Sequence, residues 1–163
     1  MRSAKDIEGA MTAHADAVWR ACALHCASQA DVQDAFQETF IKYAQADGTM
    51  FADDEHRKAW LLRVAINQCK DMLRARSRSD VSLDETVATV ELVSSDGVVQ
   101  PGSVLFEVAE ALRSLDDPPR TPLYLSLCEG YTAPEIAEVV AAPVNTVYSW
   151  IARGKQQLRE VLS

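Results

Sequence analysis

Glycine and proline are both scarce, six of each in 163 residues, and aromatic side chains make up only 7% of the chain. None of the glycines forms a glycine-rich phosphate loop, and no nucleophile motif or metal-binding carboxylate cluster is spelled anywhere. Catalysis is therefore not expected, and neither is a cofactor. No uncharged apolar run approaches the roughly 18 residues that a membrane span needs. The opening Met1-Arg2-Ser3-Ala4-Lys5-Asp6 leads into no apolar signal segment, so the expectation is a cytoplasmic protein with no membrane insertion. Cysteine is limited to Cys22, Cys26, Cys69 and Cys128, scattered over helical patterns rather than set out as a disulfide framework. Cys22 and Cys26 lie one helical turn apart beside His25, which raises a thiol- or metal-sensing helical protein as an alternative. A closed zinc site wants four ligands and no second close pair is visible, so burial as small hydrophobes explains them more simply.

Basic residues are outnumbered, 16 against 24 acids, for a net charge of -8. That balance argues against a simple nucleic-acid binder, because lysine and arginine supply most non-specific affinity. The distribution reverses the argument. Between Arg57 and Arg78 there are seven basic residues against Asp71 alone, whereas between Asp80 and Val140 twelve acids face only Arg113 and Arg120. Such blocks predict a basic face followed by an acidic middle.

What the sequence does contain is helical periodicity. Ile7, Met11, His14, Val18, Cys22 and Cys26 step by three and four, predicting an amphipathic helix that ends near Ser28. Ser28 is placed to cap a second helix, with Asp31 favourable in its first turn. Val32, Ala35, Phe36, Thr39, Phe40 and Tyr43 form its apolar face, and Asp47-Gly48 ends it. A third helix is expected from Asp53 or Asp54 to about Arg76. Ala59, Leu62, Ile66, Cys69 and Leu73 face its core, and Arg63, Asn67, Lys70 and Arg74 form the opposite stripe.

Periodicity then fails from Ser79 to Ser103, an acidic linker with a short ordered piece expected around Val87 to Leu92. Four more helical patterns follow. Leu105, Val108, Leu112 and Leu115 carry the first, which stops at Asp116-Asp117-Pro118-Pro119. A second runs from about Thr121 to Gly130, and Thr132-Ala133-Pro134-Glu135 spells a capping box for a third, short helix. After the turn Ala141-Ala142-Pro143-Val144, Asn145 is the expected N-cap of a last helix reaching about Val161. The fold class is therefore all-α: a three-helix domain over 1–78, a flexible acidic linker over 79–103, and a four-helix domain over 104–163. The last two helices outline a helix-turn-helix, whose second helix enters a major groove. Tyr148, Ser149, Ala152, Arg153 and Gln156 fall on its exposed face, and Val147, Ile151, Leu158 and Leu162 on its inner one. A stand-alone helix-turn-helix regulator is the other function compatible with this outline, although most such proteins dimerise and no symmetric dimer interface is apparent.

Three segments make the reading specific. Asp31-Val32-Gln33-Asp34-Ala35-Phe36-Gln37-Glu38-Thr39-Phe40 resembles the signature of the extracytoplasmic-function sigma factors of the sigma-70 family. Trp60-Leu61-Leu62-Arg63-Val64-Ala65-Ile66-Asn67 and Asp71-Met72-Leu73-Arg74-Ala75-Arg76 are similar to their promoter-melting segment. Leu115 to Arg120, Gly130 to Ala137 and Pro143 to Trp150 resemble their upstream-element domain. The likeness runs in order through nearly everything but the linker.

The resemblance implies a sigma factor that binds core RNA polymerase and directs promoter-specific initiation in bacteria without catalysing a reaction. It assigns Asp34, Gln37, Glu38 and Ile41 to docking on the β′ clamp helices of the polymerase, with the β subunit as a further contact. The loop from Gln45 to Ala52 and the start of the third helix are assigned to capturing a base flipped from the minus-10 element. Arg57, Lys58, Trp60, Arg63, Asn67, Lys70 and Arg74 are the residues expected at that DNA, with Met50, Phe51 and Trp60 as apolar or stacking walls. Trp60 also fits a plain core position. Asn145, Thr146, Tyr148, Ser149, Arg153 and Gln156 are expected at the minus-35 element. An anti-sigma factor is the further partner implied, and the free chain is expected to be monomeric. Two features depart from the family pattern: Ala141 stands where many relatives have glycine in the turn, and Tyr148 and Trp150 stand where lysine and arginine are common. Gly154, inside the last helix, costs roughly 1 kcal/mol against alanine by propensity.

Overall fold

The computed structural model describes residues 1–78, 93–94, 97–98 and 102–163, and divides into two compact units, Met1–Val99 and Gln100–Ser163. The first unit contains α1 (Ala4–His25), α2 (Gln29–Gln45) and α3 (Asp54–Arg78), each packed against the other two. Ser3 caps α1 by accepting from the Asp6 amide, and Ser28 caps α2 by accepting from the Asp31 amide. At α3 the Asp53 carboxylate accepts from the His56 amide. Each cap satisfies an amide that a helix start leaves without a partner.

Small residues let these helices approach closely. Ala10, Ala17, Ala21, Cys22 and Ala23 of α1 are buried, and they meet Val32, Ala35 and Tyr43 of α2 and Leu61, Leu62, Ala65, Ile66 and Cys69 of α3. Polar ties close the bundle at its edges. His14 Nε2 lies 2.9 Å from Asp54 Oδ1, Lys42 Nζ donates to Gln68 at 2.8 Å, and Arg76 Nε pairs with Asp31 at 2.8 Å. Burial on α3 ends at Cys69. Leu73, expected inside, is exposed in the last two turns, where the 25-residue α3 outruns the 17-residue α2. Met11 is likewise more exposed than its place in the apolar pattern predicts.

The expected ordered piece at Val87 to Leu92, and most of the acidic linker, lie outside the described residues. The described part of that stretch contains β1 (Val93–Ser94) and β2 (Gly97–Val98), an antiparallel ladder pairing Val93 with Val98 and Ser94 with Gly97. Two residues per strand are too few for a period-2 pattern to register in the sequence.

The second unit contains α4 (Val104–Ser114), α5 (Arg120–Leu127), α6 (Ala133–Val140) and α7 (Val144–Leu162) around Leu112, Leu115, Leu123, Tyr124, Leu125, Ile136, Val139 and Val147. Leu105 and Leu162, both expected inside, are exposed at the outer ends of their helices. Arg120 ties α4 to α5 by donating to the Leu115 carbonyl through Nη2 at 2.7 Å. Gly130, at φ 74°, turns the chain toward α6 in a conformation that favours glycine. The Thr132–Glu135 capping box forms in full, with the Thr132 hydroxyl accepting from the Glu135 amide and Glu135 accepting from the Thr132 amide.

Asn145 is not the cap of α7. The helix starts at Val144, and Pro143, at φ -62° and ψ 144°, takes the N-cap position without a side-chain hydrogen bond. Proline presets that geometry, so the helix begins one residue before the polar side chain that looked like its cap.

Candidate nucleic-acid interface

Residues 46–53 join α2 to α3, and the start of α1 folds beneath them. Together they form an open cleft of about 270 Å³, lined among others by Arg2, Asp6, Tyr43, Met50, Phe51 and Arg57. Met50 projects from the loop almost fully exposed, at 86%. Phe51 lies nearly parallel to Tyr43, with ring centroids 6.2 Å apart, and Trp60 meets both edge-on at 6.0 and 5.9 Å. Trp60 is half-buried, so it serves as core for this aromatic group and still reaches the surface.

Charge in the cleft is paired. The Tyr43 hydroxyl donates to Asp6 Oδ1 at 2.5 Å, and Arg2 Nη1 lies 3.2 Å from the other oxygen. Tyr43's hydrogen bond, helped by Arg2, holds the Asp6 carboxyl below the usual carboxylate range. Burial, with Asp6 adding to it, pushes the Tyr43 phenol up. Hydrogen bonds from His14 and then Arg57 lower Asp54 in the same way. Arg57 donates to Asp54 and stands 3.7 Å from Asp6. It is therefore part of the wall of the cleft rather than an extended cation, a role that its place in the basic run did not reveal.

Along α3 beyond the cleft, Arg63, Asn67 and Arg74 are exposed at the spacings of one helical face, with Lys58 and Lys70 half-exposed beside them. Arg74 shares its charge with Asp71 at 3.0 Å. On α2, Asp34, Gln37 and Ile41 are exposed and Glu38 is half-buried. Their spacing puts them on the side away from Val32, Ala35 and Tyr43. Ile41, at 47% exposure, is an apolar side chain without internal cover amid polar neighbours.

On α7, Asn145, Tyr148, Ser149, Arg153 and Gln156 are exposed and Thr146 is half-buried. Gln156 Nε2 donates to Glu160 at 3.2 Å, and the Ser149 hydroxyl donates to the Asn145 carbonyl at 3.2 Å. All of these side chains but Gln156, which lies in the fourth turn, occupy the first three turns of the second helix of the helix-turn-helix. That is where such a helix reaches base edges. The turn itself runs through Ala141 at φ 55° and ψ 51°, and the Ala142 amide donates to the Ala137 carbonyl at 3.1 Å.

Sequence reasoning missed Arg2, Asp6 and Tyr43 as cleft residues, because their partners lie about forty residues away. It also missed Cys69. Cys26 Sγ lies 2.8 Å from Cys69 Sγ, and hydrogen bonding with Cys22 and Cys26, together with burial, pushes the Cys69 thiol far up. The three sulfurs fill the space between α1 and α3. Among the described residues no group of His, Cys, Asp and Glu is arranged to hold a metal ion, and no helix is long and apolar enough to cross a membrane.

Residues 10–79 match the family described as sigma-70 region 2, and residues 105–158 match sigma-70, region 4. The RNA polymerase sigma-H factor of Pseudomonas aeruginosa is 33% identical over 142 residues, covering 81% of this chain and 73% of that protein. The ECF RNA polymerase sigma-E factor of Salmonella typhimurium is 30% identical over 138 residues, covering 78% and 72%. Among solved structures, the sigma factor RpoE of Bartonella quintana, crystallised with the anti-sigma factor NepR, superposes with a TM-score of 0.78 at 23% identity, covering 97% of each chain. CnrH in complex with the cytosolic domain of CnrY gives 0.68 at 24%, covering 98% and 89%. Those two establish the fold.

Helical units of these two kinds, in this order on one chain, define a promoter-recognising transcription initiation factor. The chain belongs to the sigma-70 family, in its extracytoplasmic-function group.

Proposed function

We propose that the chain acts as a non-catalytic subunit of RNA polymerase in the cytoplasm, dividing promoter recognition between residues 1–78 and 104–163. Asp34, Gln37, Glu38 and Ile41 dock on the β′ clamp helices. A polar stripe bordered by one exposed apolar side chain suits docking between helices. Lys58, Arg63, Asn67, Lys70 and Arg74 track the non-template strand of the minus-10 element while a flipped base enters the cleft under the 46–53 loop. Unstacking that base costs a few kcal/mol, which an aromatic-lined, preformed pocket with cationic support offsets. Arg57 acts here through the cleft wall, and Trp60 through the aromatic group behind it.

The second helix of the helix-turn-helix presents Asn145, Thr146, Tyr148, Ser149, Arg153 and Gln156 to the minus-35 element. Arg153 is the one arginine among these six, which limits their phosphate contribution, so base-edge and apolar contacts carry more of the preference. The acidic linker, 79–103, threads a basic groove of the polymerase as a carboxylate-bearing strand, contacting the β subunit. An anti-sigma factor holds the free chain inactive, as the partner named for the similar RpoE structure supports.

The observation that carries this reading is the cleft itself, with aromatic walls and an exposed loop, on the same helical unit as the exposed cationic face of α3. Run-off transcription with core polymerase and a genomic promoter library tests it. Discrete transcripts that depend on the added chain are expected. Reconstituted polymerase that starts none would overturn the reading.

A further inference from the structure

We infer that Arg2 is a positioning residue, whose guanidinium holds the 46–53 loop in the shape that receives the flipped base; the inference rests on the reading of the cleft given above. The side chain is 10% exposed and its fork is used throughout. Nε donates to the Tyr43 carbonyl at 2.9 Å, and Nη2 donates to the carbonyls of Ala46 at 2.8 Å and Thr49 at 2.7 Å. Nη1 reaches Asp6 at 3.2 Å, and the guanidinium carbon lies 4.4 Å from the Tyr43 ring centroid and 5.2 Å from that of Phe51. One side chain thus caps the last turn of α2, gathers two loop carbonyls, and lies over the two aromatic rings that form the wall.

Chemistry makes arginine specific here. The last carbonyls of a helix lack internal partners and favour a cation. Only a planar fork of donors can serve three carbonyls from one position and stack on rings at the same time, whereas lysine offers a compact point charge. The loop's other ties lie elsewhere: the Thr49 amide donates to Ala46, the Ala52 amide to His56 Nδ1, the Met1 amine pairs with Asp47, the Asp53 carboxylate accepts from the His56 amide, and Phe51 packs on Tyr43, His56 and Trp60. None of these reaches the Thr49 carbonyl. Without Arg2 the loop would have to be ordered when the base arrives, and that ordering would be taken from the binding free energy.

The test uses holoenzyme and the non-template minus-10 strand of a promoter recovered from the run-off selection, with each base replaced in turn by an abasic residue. The captured position is the one whose loss weakens wild-type binding most, about tenfold on the scale of one stacked base. In Arg2→Ala that ratio is expected to fall below about twofold, with core-polymerase affinity and helical content unchanged. Arg2→Lys should retain part of it. If Arg2→Ala keeps the full ratio, or weakens intact and abasic strands equally, Arg2 plays no positioning role. If wild type shows no sensitive position, base capture in the cleft is wrong and this inference falls with it. Should Arg2→Ala fail to fold, Arg2→Gln and Arg2→Lys read the same ratio, and a wild-type value in both overturns the proposal.

Discussion

Gly154 of α7 lies against Leu123 of α5 so closely that a Cβ at position 154 would stand 3.1 Å from Leu123 Cδ2, 3.2 Å from its Cβ and 3.3 Å from the Pro119 carbonyl oxygen. The glycine that costs the helix about 1 kcal/mol by propensity therefore allows two helices to touch at backbone level. Gly154→Ala is expected to lower the melting temperature of the second unit, although alanine is the better helix former, because Leu123 Cβ and a backbone oxygen cannot swing away. Overpacking of this kind costs roughly 1–3 kcal/mol. Gly154→Val should lower the melting temperature further, and a stabilised Gly154→Ala would show that α5 yields.

Ala141 makes the opposite prediction. A left-handed residue with a Cβ costs about 1 kcal/mol, which glycine avoids. Ala141→Gly should stabilise the second unit by about 0.5–1 kcal/mol in chemical denaturation, with no change at the surface of α7.

The Tyr43–Asp6 hydrogen bond sets a pH window. The Asp6 carboxyl is lowered in the fold, so its contribution is present above its unfolded value of about 4 and is lost as pH falls through the folded one. The Tyr43 phenol is raised, so its contribution is present below about 10 and is lost as pH rises through the folded value. Tyr43→Phe should destabilise the chain by about 1–2 kcal/mol at pH 7. Denaturation midpoints for wild type and variant should converge at both pH extremes, and a constant gap would remove the assignment.

Reversing charge at Asp34 and Glu38 together should weaken core-polymerase binding by tenfold or more, on the order of the 1.4 kcal/mol that such a factor represents. Circular dichroism should be unchanged, since neither residue belongs to the buried set of α2. Core affinity equal to wild type would place the docking surface elsewhere.

The free chain is expected to bind duplex promoter DNA poorly at physiological salt, because its net charge of -8 opposes the basic face of α3. A mobility-shift assay showing tight, sequence-specific binding without polymerase would contradict this.

Helices, most caps and the helix-turn-helix were legible because their determinants are local. The signals at Ser28, at Thr132 with Glu135 and at Asp47-Gly48 each span a few residues. What escaped depends on contacts across the fold. Arg2 reads as one cation among sixteen until Tyr43, Ala46 and Thr49 are folded over it. Cys69 reads as one apolar position on α3 until α1 brings Cys26 to it. Arg57 reads as part of a basic run until Asp54 and Asp6 claim it. At α7 the error was local, because Asn145 looked like the better cap and Pro143 had already fixed where the helix begins.

The reciprocal bonds of Thr132 and Glu135, with the Ala142 amide tied back to Ala137, lock the frame of the helix-turn-helix before any duplex arrives. The geometry of the turn is thus set by bonds internal to the chain and needs no contact with DNA to form.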